Sequence, residues 1–89
     1  MKRLHVFFTG QVQGVGFRFT ARQVARQFKL AGWVKNLKDG EVELLVEGEE
    51  NELKEFLALI RSKMERHILD VRISWSQATR EFHQFEILQ

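Results

Sequence analysis

The sequence predicts an α/β fold in which four strands and two helices follow the order βαββαβ, and a fifth strand comes last. Three observations predict it: apolar alternation typical of strands, two segments with apolar residues at helical spacing, and turn signals between them. The 89 residues, 44% of them hydrophobic, are expected to form one domain over 1–89 with a single modest core.

The first half of the chain supplies a strand, a helix and a second strand. Alternation from Leu4 to Phe8 predicts a strand that is buried on at least one face. Residues 19–30 carry apolar side chains at helical spacing. Trp33 to Leu37 is predicted to be the second strand, and Gly32 is expected to end the helix or to form the turn into that strand.

The second half begins with a strong turn signal, Asp39-Gly40, which predicts a hairpin into a third strand from Glu41 to Glu47. In that strand the apolar side chains of Val42, Leu44 and Val46 are expected to face the core. The side chains of Glu41, Glu43 and Glu47 are expected to face outward. A second helix is predicted from Glu50 to Met64, and two strands follow, His67 to Trp75 and Phe82 to Leu88.

This order of elements is typical of the ferredoxin-like α/β sandwich. Right-handed crossovers place strands one and two parallel, with strand three between them and antiparallel to both. We therefore expect an antiparallel sheet of strand order 4-1-3-2, with the fifth strand on an edge and both helices on one face.

A glycine-rich stretch between the first strand and the first helix is the leading candidate for a binding site. Gly10, Gly14 and Gly16 permit turns with positive φ, which aim successive backbone N–H groups into one concavity. The helix that follows adds its own unpaired N–H groups and the positive end of its dipole. The stretch from Gln13 to Phe17, with Arg18, is therefore predicted to bind a phosphate, the intervening residues being Gly14, Val15 and Gly16.

Charge supports the same interpretation. Arg18 stands in the first helical turn, where a cation opposes the dipole, and a bound phosphate would relieve that conflict. Residues 1–38 hold eight Lys and Arg and no acid, whereas all twelve acids lie at Asp39 or later. Such a half-chain is expected to build a positive local field. A glycine turn followed by a solvated arginine stripe remains the alternative at this stage.

Asn36 comes near the carboxyl end of the second strand, at the sheet edge that the glycine loop also reaches. Its amide can orient a water molecule, or it can simply bond its own turn. No Asp, Glu, Cys or paired His stands near the loop, so the sequence offers no general acid, thiol nucleophile or metal ligands there. A substrate whose leaving group departs unaided fits such a site, and an acyl phosphate, which releases a carboxylate, is one.

Two motifs closely resemble those of the acylphosphatase family: Gly10-Gln11-Val12-Gln13-Gly14-Val15-Gly16-Phe17-Arg18, and Gly32-Trp33-Val34-Lys35-Asn36 followed by Asp39-Gly40. The resemblance extends to Phe85-Glu86-Ile87. It implies a metal-independent hydrolase that needs no cofactor and splits acyl phosphates, with Arg18 binding the phosphate and Asn36 positioning water. The chain lacks the Gly-Pro that many relatives have after the second helix, where Ser62 to His67 stands.

Two other functions remain open from the sequence: a non-catalytic anion sensor and an RNA-binding ferredoxin-like module. The glutamates expected on the open sheet face disfavour a polyanion. With no apolar leader and no membrane-length apolar run, the sequence predicts a cytoplasmic protein that does not bind a membrane. We further expect a monomer that acts on a small molecule and not on nucleic acid.

Overall fold

A computed structural model describes residues 1–89 and contains the predicted two helices and five strands. The strands are β1 (Lys2–Gly10), β2 (Ala31–Asn36), β3 (Val42–Gly48), β4 (Ile68–Gln77) and β5 (Phe85–Leu88). The helices are α1 (Phe17–Gln27) and α2 (Glu50–Lys63). Neither helix is long and apolar enough to cross a lipid bilayer.

The five strands form one sheet in the order β4-β1-β3-β2-β5, as predicted for the first four. β1 pairs antiparallel with β3 and β4, and β3 pairs antiparallel with β2. β5 lies on the edge beside β2 and runs parallel to it, with Gly32 opposite Phe85. The chain reverses direction between β4 and β5, so β5 runs in the same direction as β1 and β2. The sheet is therefore mixed, with one parallel pair at that edge.

The core lies between the sheet and the two helices, which share one face as predicted. β1 is an interior strand of the sheet, and its inward-facing residues, Leu4, Val6 and Phe8, are completely buried. They belong to the same cluster as Val24 of α1 and Phe56 of α2. Burying each of these large apolar side chains contributes about 1.5–3 kcal/mol, so this layer supplies most of the stability that holds the loops in place.

Helix α1 begins and ends a few residues earlier than its apolar spacing predicts, for two backbone reasons. Gly16 takes a left-handed conformation with φ 79°, so the helix begins at Phe17. Lys29 has φ 56°, and the N–H of Leu30 donates to the Ala25 carbonyl at 2.9 Å, which is the Schellman ending. The prediction that Gly32 ends the helix or forms the next turn is wrong, since Gly32 lies inside β2.

Glu47 is the main departure from the predicted strand pattern. Its side chain lies on the open face of the sheet but is only 3% exposed, because residues 79–81 fold over it. The expectation that Glu47 faces solvent like Glu41 and Glu43 is therefore wrong. Alternation along a strand assigns a face, but it does not reveal whether a distant loop covers that face.

The end of α2, where the chain lacks Gly-Pro, is closed by backbone bonds instead. The Met64 carbonyl accepts the N–H groups of His67 at 2.9 Å and Ile68 at 3.2 Å. These bonds satisfy a carbonyl that the helix end would leave free, and β4 begins directly afterwards.

Candidate active site

The loop between β1 and α1 has the conformation that its glycines predict. Gly14 has φ 77° and Gly16 has φ 79°, in the region that residues with a Cβ atom avoid. A Cβ atom built on either residue would meet no atom within 4 Å, so the backbone dihedral angle, and not lack of space, requires glycine at both positions. The absence of side chains there leaves the backbone N–H groups accessible to a ligand.

The N-terminus of α1 adds further free donors. Gly16 is the N-cap residue and offers no side chain to cap the helix, and the first turn contains no acidic residue. The N–H of Thr20 donates to the Gly16 carbonyl at 3.0 Å, whereas the N–H groups of the three residues before it point beyond the helix end. A helix N-terminus left uncapped in this way is suited to an anion.

Arg18 and Asn36 line the same pocket, which has a volume of about 220 Å³. Of the residues predicted to bind phosphate, Gly14, Gly16, Phe17 and Arg18 contribute to its wall. Gln13 and Val15 do not line it. The remaining wall is formed by Val12, Phe19, Ile87 and Gln89.

The polar groups of this pocket are incompletely satisfied by the protein. The Arg18 side chain makes one hydrogen bond, from Nη1 to the Leu88 carbonyl at 3.4 Å, which leaves most of its five N–H groups free. The Oδ1 atom of Asn36 is buried and has no hydrogen-bond partner. The Oδ1 atom of Asn36 therefore has its hydrogen-bonding capacity free on the pocket side of β2.

Arg18 is the one cationic side chain that lines the pocket, and no acidic side chain lines it. Glu41 and Glu43, which follow Asn36 in sequence, are paired with other side chains. Glu43 contacts His5 Nε2 at 2.7 Å and Lys35 Nζ at 3.8 Å, and Glu41 accepts a hydrogen bond from Arg72 at 2.8 Å. No three His, Asp or Glu side chains meet to form a metal site. The field at the pocket therefore favours a small anion.

Sequence reasoning missed the wall that Ile87 of β5 and Gln89, the residue that follows β5, supply. This wall results from the parallel pairing of β5 with β2, which no local sequence pattern predicts. A second, larger cavity of about 440 Å³ lies between α2 and β4, and none of the predicted site residues reaches it.

The ferredoxin-like sheet places backbone donors, one arginine and one amide around a small pocket. This architecture is that of an anion-binding α/β domain.

Comparison with known proteins identifies the family of the chain. The family model for acylphosphatase matches residues 4–87. The acylphosphatase of Roseiflexus sp. is 39% identical over 99% of this chain and 96% of its own, and that of Bacillus subtilis is 38% identical over 99% and 98%. The crystal structure of the Bacillus subtilis acylphosphatase superposes with a TM-score of 0.90 at 36% identity, covering 100% of both chains.

The chain belongs to the acylphosphatase family. It is an enzyme that hydrolyses acyl phosphates and releases inorganic phosphate. This finding confirms the resemblance seen in the two motifs, and it decides against a protein without catalytic activity.

Proposed function

We propose that the backbone from Gln11 to Phe17, together with Arg18, binds the phosphoryl group of the substrate, and that Asn36 orients the attacking water. The observation that carries this proposal is that Arg18, Asn36 and the two left-handed glycines line one pocket. The N–H groups of the loop and of the first turn of α1 hold the phosphoryl oxygens. The guanidinium adds donors in a planar fork that a lysine cannot copy.

The proposed reaction needs little more than positioning and electrostatic stabilisation. The water oxygen attacks phosphorus, the bond from phosphorus to the acyl oxygen breaks, and its electron pair leaves with the carboxylate. A carboxylate has a conjugate-acid pKa of about 4, so it departs without a general acid. The proton of the attacking water passes to the phosphate product or to solvent, and neither a metal ion nor a cofactor takes part.

Two substitutions test these roles in a continuous assay with a synthetic acyl phosphate. Arg18→Gln removes the charge and the fork, so we expect weaker inhibition by inorganic phosphate and a loss of turnover of about 100-fold or more. Asn36→Ala removes the water-orienting group, so turnover is expected to fall similarly while the inhibition constant of phosphate stays within about twofold.

The matched control is Arg26→Gln on the same helix, because Arg26 is exposed and outside the pocket. It should keep wild-type turnover. Near-wild-type turnover in Asn36→Ala would contradict the role given to Asn36, and unchanged phosphate inhibition in Arg18→Gln would contradict the role given to Arg18.

We also infer a monomer that works in the cytoplasm without nucleic acid. The rings that a base would stack on are occupied: Arg72 lies 5.0 Å from the centroid of Phe7, and Lys35 Nζ lies 5.2 Å from that of Trp33. Sedimentation at micromolar concentration tests the monomer, and a gel shift with RNA tests the absence of nucleic-acid binding.

A further inference from the structure

Gln13 makes a contact that a phosphate-binding role does not explain. Its side-chain Nε2 donates two hydrogen bonds, to the Leu37 carbonyl at 2.8 Å and to the Glu41 carbonyl at 2.9 Å. Both acceptors belong to the hairpin turn between β2 and β3. One amide nitrogen therefore joins the glycine loop to a segment 24 to 28 residues further along the chain.

The two acceptors are the atoms that close the hairpin turn itself. The N–H of Leu37 donates to the Glu41 carbonyl at 2.8 Å, and the N–H of Gly40 donates to the Leu37 carbonyl at 3.2 Å. Each carbonyl thus accepts one bond from the turn and one from Gln13. Since a carbonyl oxygen has two lone pairs, the Gln13 amide completes the hydrogen bonding of both.

The location of this contact relates it to the proposed chemistry. Gln13 immediately precedes Gly14, which lines the pocket, and Leu37 immediately follows Asn36, which lines it from the other side. No other side chain of the glycine loop donates or accepts a hydrogen bond across this gap. Beside the pairing of β1, β3 and β2, the Gln13 amide is therefore the side-chain link between the loop and the turn that follows Asn36.

We propose that Gln13 is a positioning residue, whose amide holds the end of β2 against the cradle so that Asn36 aims water at the bound phosphoryl group. This inference rests on the proposed role of Asn36. Gln13 acts through Asn36 and does not touch the substrate with its side chain. Displacing an aligned group by about 1 Å lowers turnover by as much as about 100-fold, so a loosened connection is expected to affect the rate more than binding.

The test is Gln13→Met, which keeps the length of the side chain and removes both donors. We expect kcat to fall about 10- to 100-fold, as misalignment of a catalytic group does, while the phosphate inhibition constant changes less than about twofold. The same substitution at Gln23 is the matched control, because Gln23 is exposed on α1 and makes no side-chain hydrogen bond. Gln23→Met should leave both constants unchanged.

A double-mutant cycle with Asn36→Ala separates positioning from a general loss of structure. If Gln13 works through Asn36, adding Gln13→Met to Asn36→Ala should lower kcat by less than about twofold more. An equal fall in both backgrounds, or a parallel loss of phosphate binding, overturns the proposal, because Gln13 would then support the cradle instead. Unchanged kcat in Gln13→Met overturns it as well. Failure of the Asn36 role is recognised separately, by activity that persists in Asn36→Ala alone.

A stability control completes the test. Ile60→Val removes one methyl group from the buried face of α2 and lowers stability without altering any polar contact. At a temperature well below melting it should keep wild-type kcat. If Ile60→Val lowers kcat as Gln13→Met does, the effect of Gln13 is a consequence of stability and the proposal fails.

Discussion

Replacing Glu47 by Gln is expected to destabilise this enzyme more than any other single loss of charge on the open sheet face. Both carboxylate oxygens of Glu47 are engaged. Oε2 accepts from Arg3 Nε at 2.8 Å, from the Thr79 N–H at 2.8 Å and from the Thr79 hydroxyl at 3.1 Å, and Oε1 accepts from the Arg80 N–H at 2.8 Å. Four donors therefore converge on one buried anion.

The size of the stability loss depends on which hydrogen bonds of the Glu47 carboxylate a glutamine can still accept. Its single carbonyl oxygen can take over the three bonds of Oε2, but its NH₂ group then faces the Arg80 N–H, which loses its acceptor. A buried donor without a partner costs about 1–3 kcal/mol, and losing the charge on the bond from Arg3 costs about 1 kcal/mol more. We expect a loss of about 2–4 kcal/mol, or roughly 10–25 °C in Tm for a domain of this size.

The dependence on pH gives a second, independent signature. Burial alone would raise the pKa of Glu47, but the N–H groups of Thr79 and Arg80 and the Arg3 guanidinium outweigh it, so the pKa is lowered below its usual 4.5. A lowered pKa in the folded state stabilises the protein above the unfolded pKa, and this stability disappears as the pH falls through the folded value. The difference between wild type and Glu47→Gln should thus be full at pH 7 and shrink below about pH 4.5.

The assay is equilibrium unfolding in urea at pH 7 and at pH 3.5, followed by tryptophan fluorescence. Glu81→Gln is the matched control, because Glu81 contacts the same Arg3 at 2.6 Å but its side chain is 58% exposed. Its loss of stability should be clearly smaller, since exposed ion pairs contribute little. The reasoning is refuted if Glu47→Gln and Glu81→Gln lose the same stability, or if the Glu47→Gln difference is as large at pH 3.5 as at pH 7.

Two further predictions concern the glycine positions and the ligand. Gly16→Ala should lower the free energy of unfolding by about 1–2 kcal/mol, because Gly16 has a positive φ. Gly10→Ala should lower it more, because the added Cβ would also collide with the His67 carbonyl oxygen. Denaturant unfolding compares the two variants, and equal losses of stability would contradict this distinction. Inorganic phosphate at about 100 times its Kd should stabilise the wild type by about 2.7 kcal/mol. Calorimetry should show a higher Tm in the wild type and a smaller rise in Arg18→Gln, and a wild-type Tm that does not respond to phosphate would argue against the anion site.

The sequence predicted much of the fold because the decisive signals are local. Alternation identified β1 and β3, and the apolar spacing identified both helices, although α1 begins at Phe17 instead of at residue 19. Its start depends on the left-handed Gly16, and its end depends on Lys29, a residue type that rarely takes positive φ. Apolar periodicity records which residues face the core but not where the backbone changes conformation.

The convergence of Arg18 and Asn36 was also predictable, since Asn36 ends β2 and Arg18 lies in the first turn of the helix that follows the loop after β1. Two parallel strands in one sheet bring their carboxyl ends to a common edge, whatever the details of packing. The walls of the pocket were not predictable in the same way. Ile87 and Gln89 reach it because β5 pairs with β2, and no residue near β5 signals which edge it joins.

The sequence by itself determined the order of the elements, the glycine loop and the placement of one arginine and one asparagine at the same sheet edge, because each follows from neighbouring residues and the handedness of the connections. Only the tertiary structure decided that Glu47 is buried and that the Gln13 amide reaches the β2–β3 turn. The physical reason is distance along the chain: Arg3 and Glu81, which meet beside Glu47, are 78 positions apart. A polar residue on a strand or loop has the same local pattern whether it meets water or a partner from the other end of the chain.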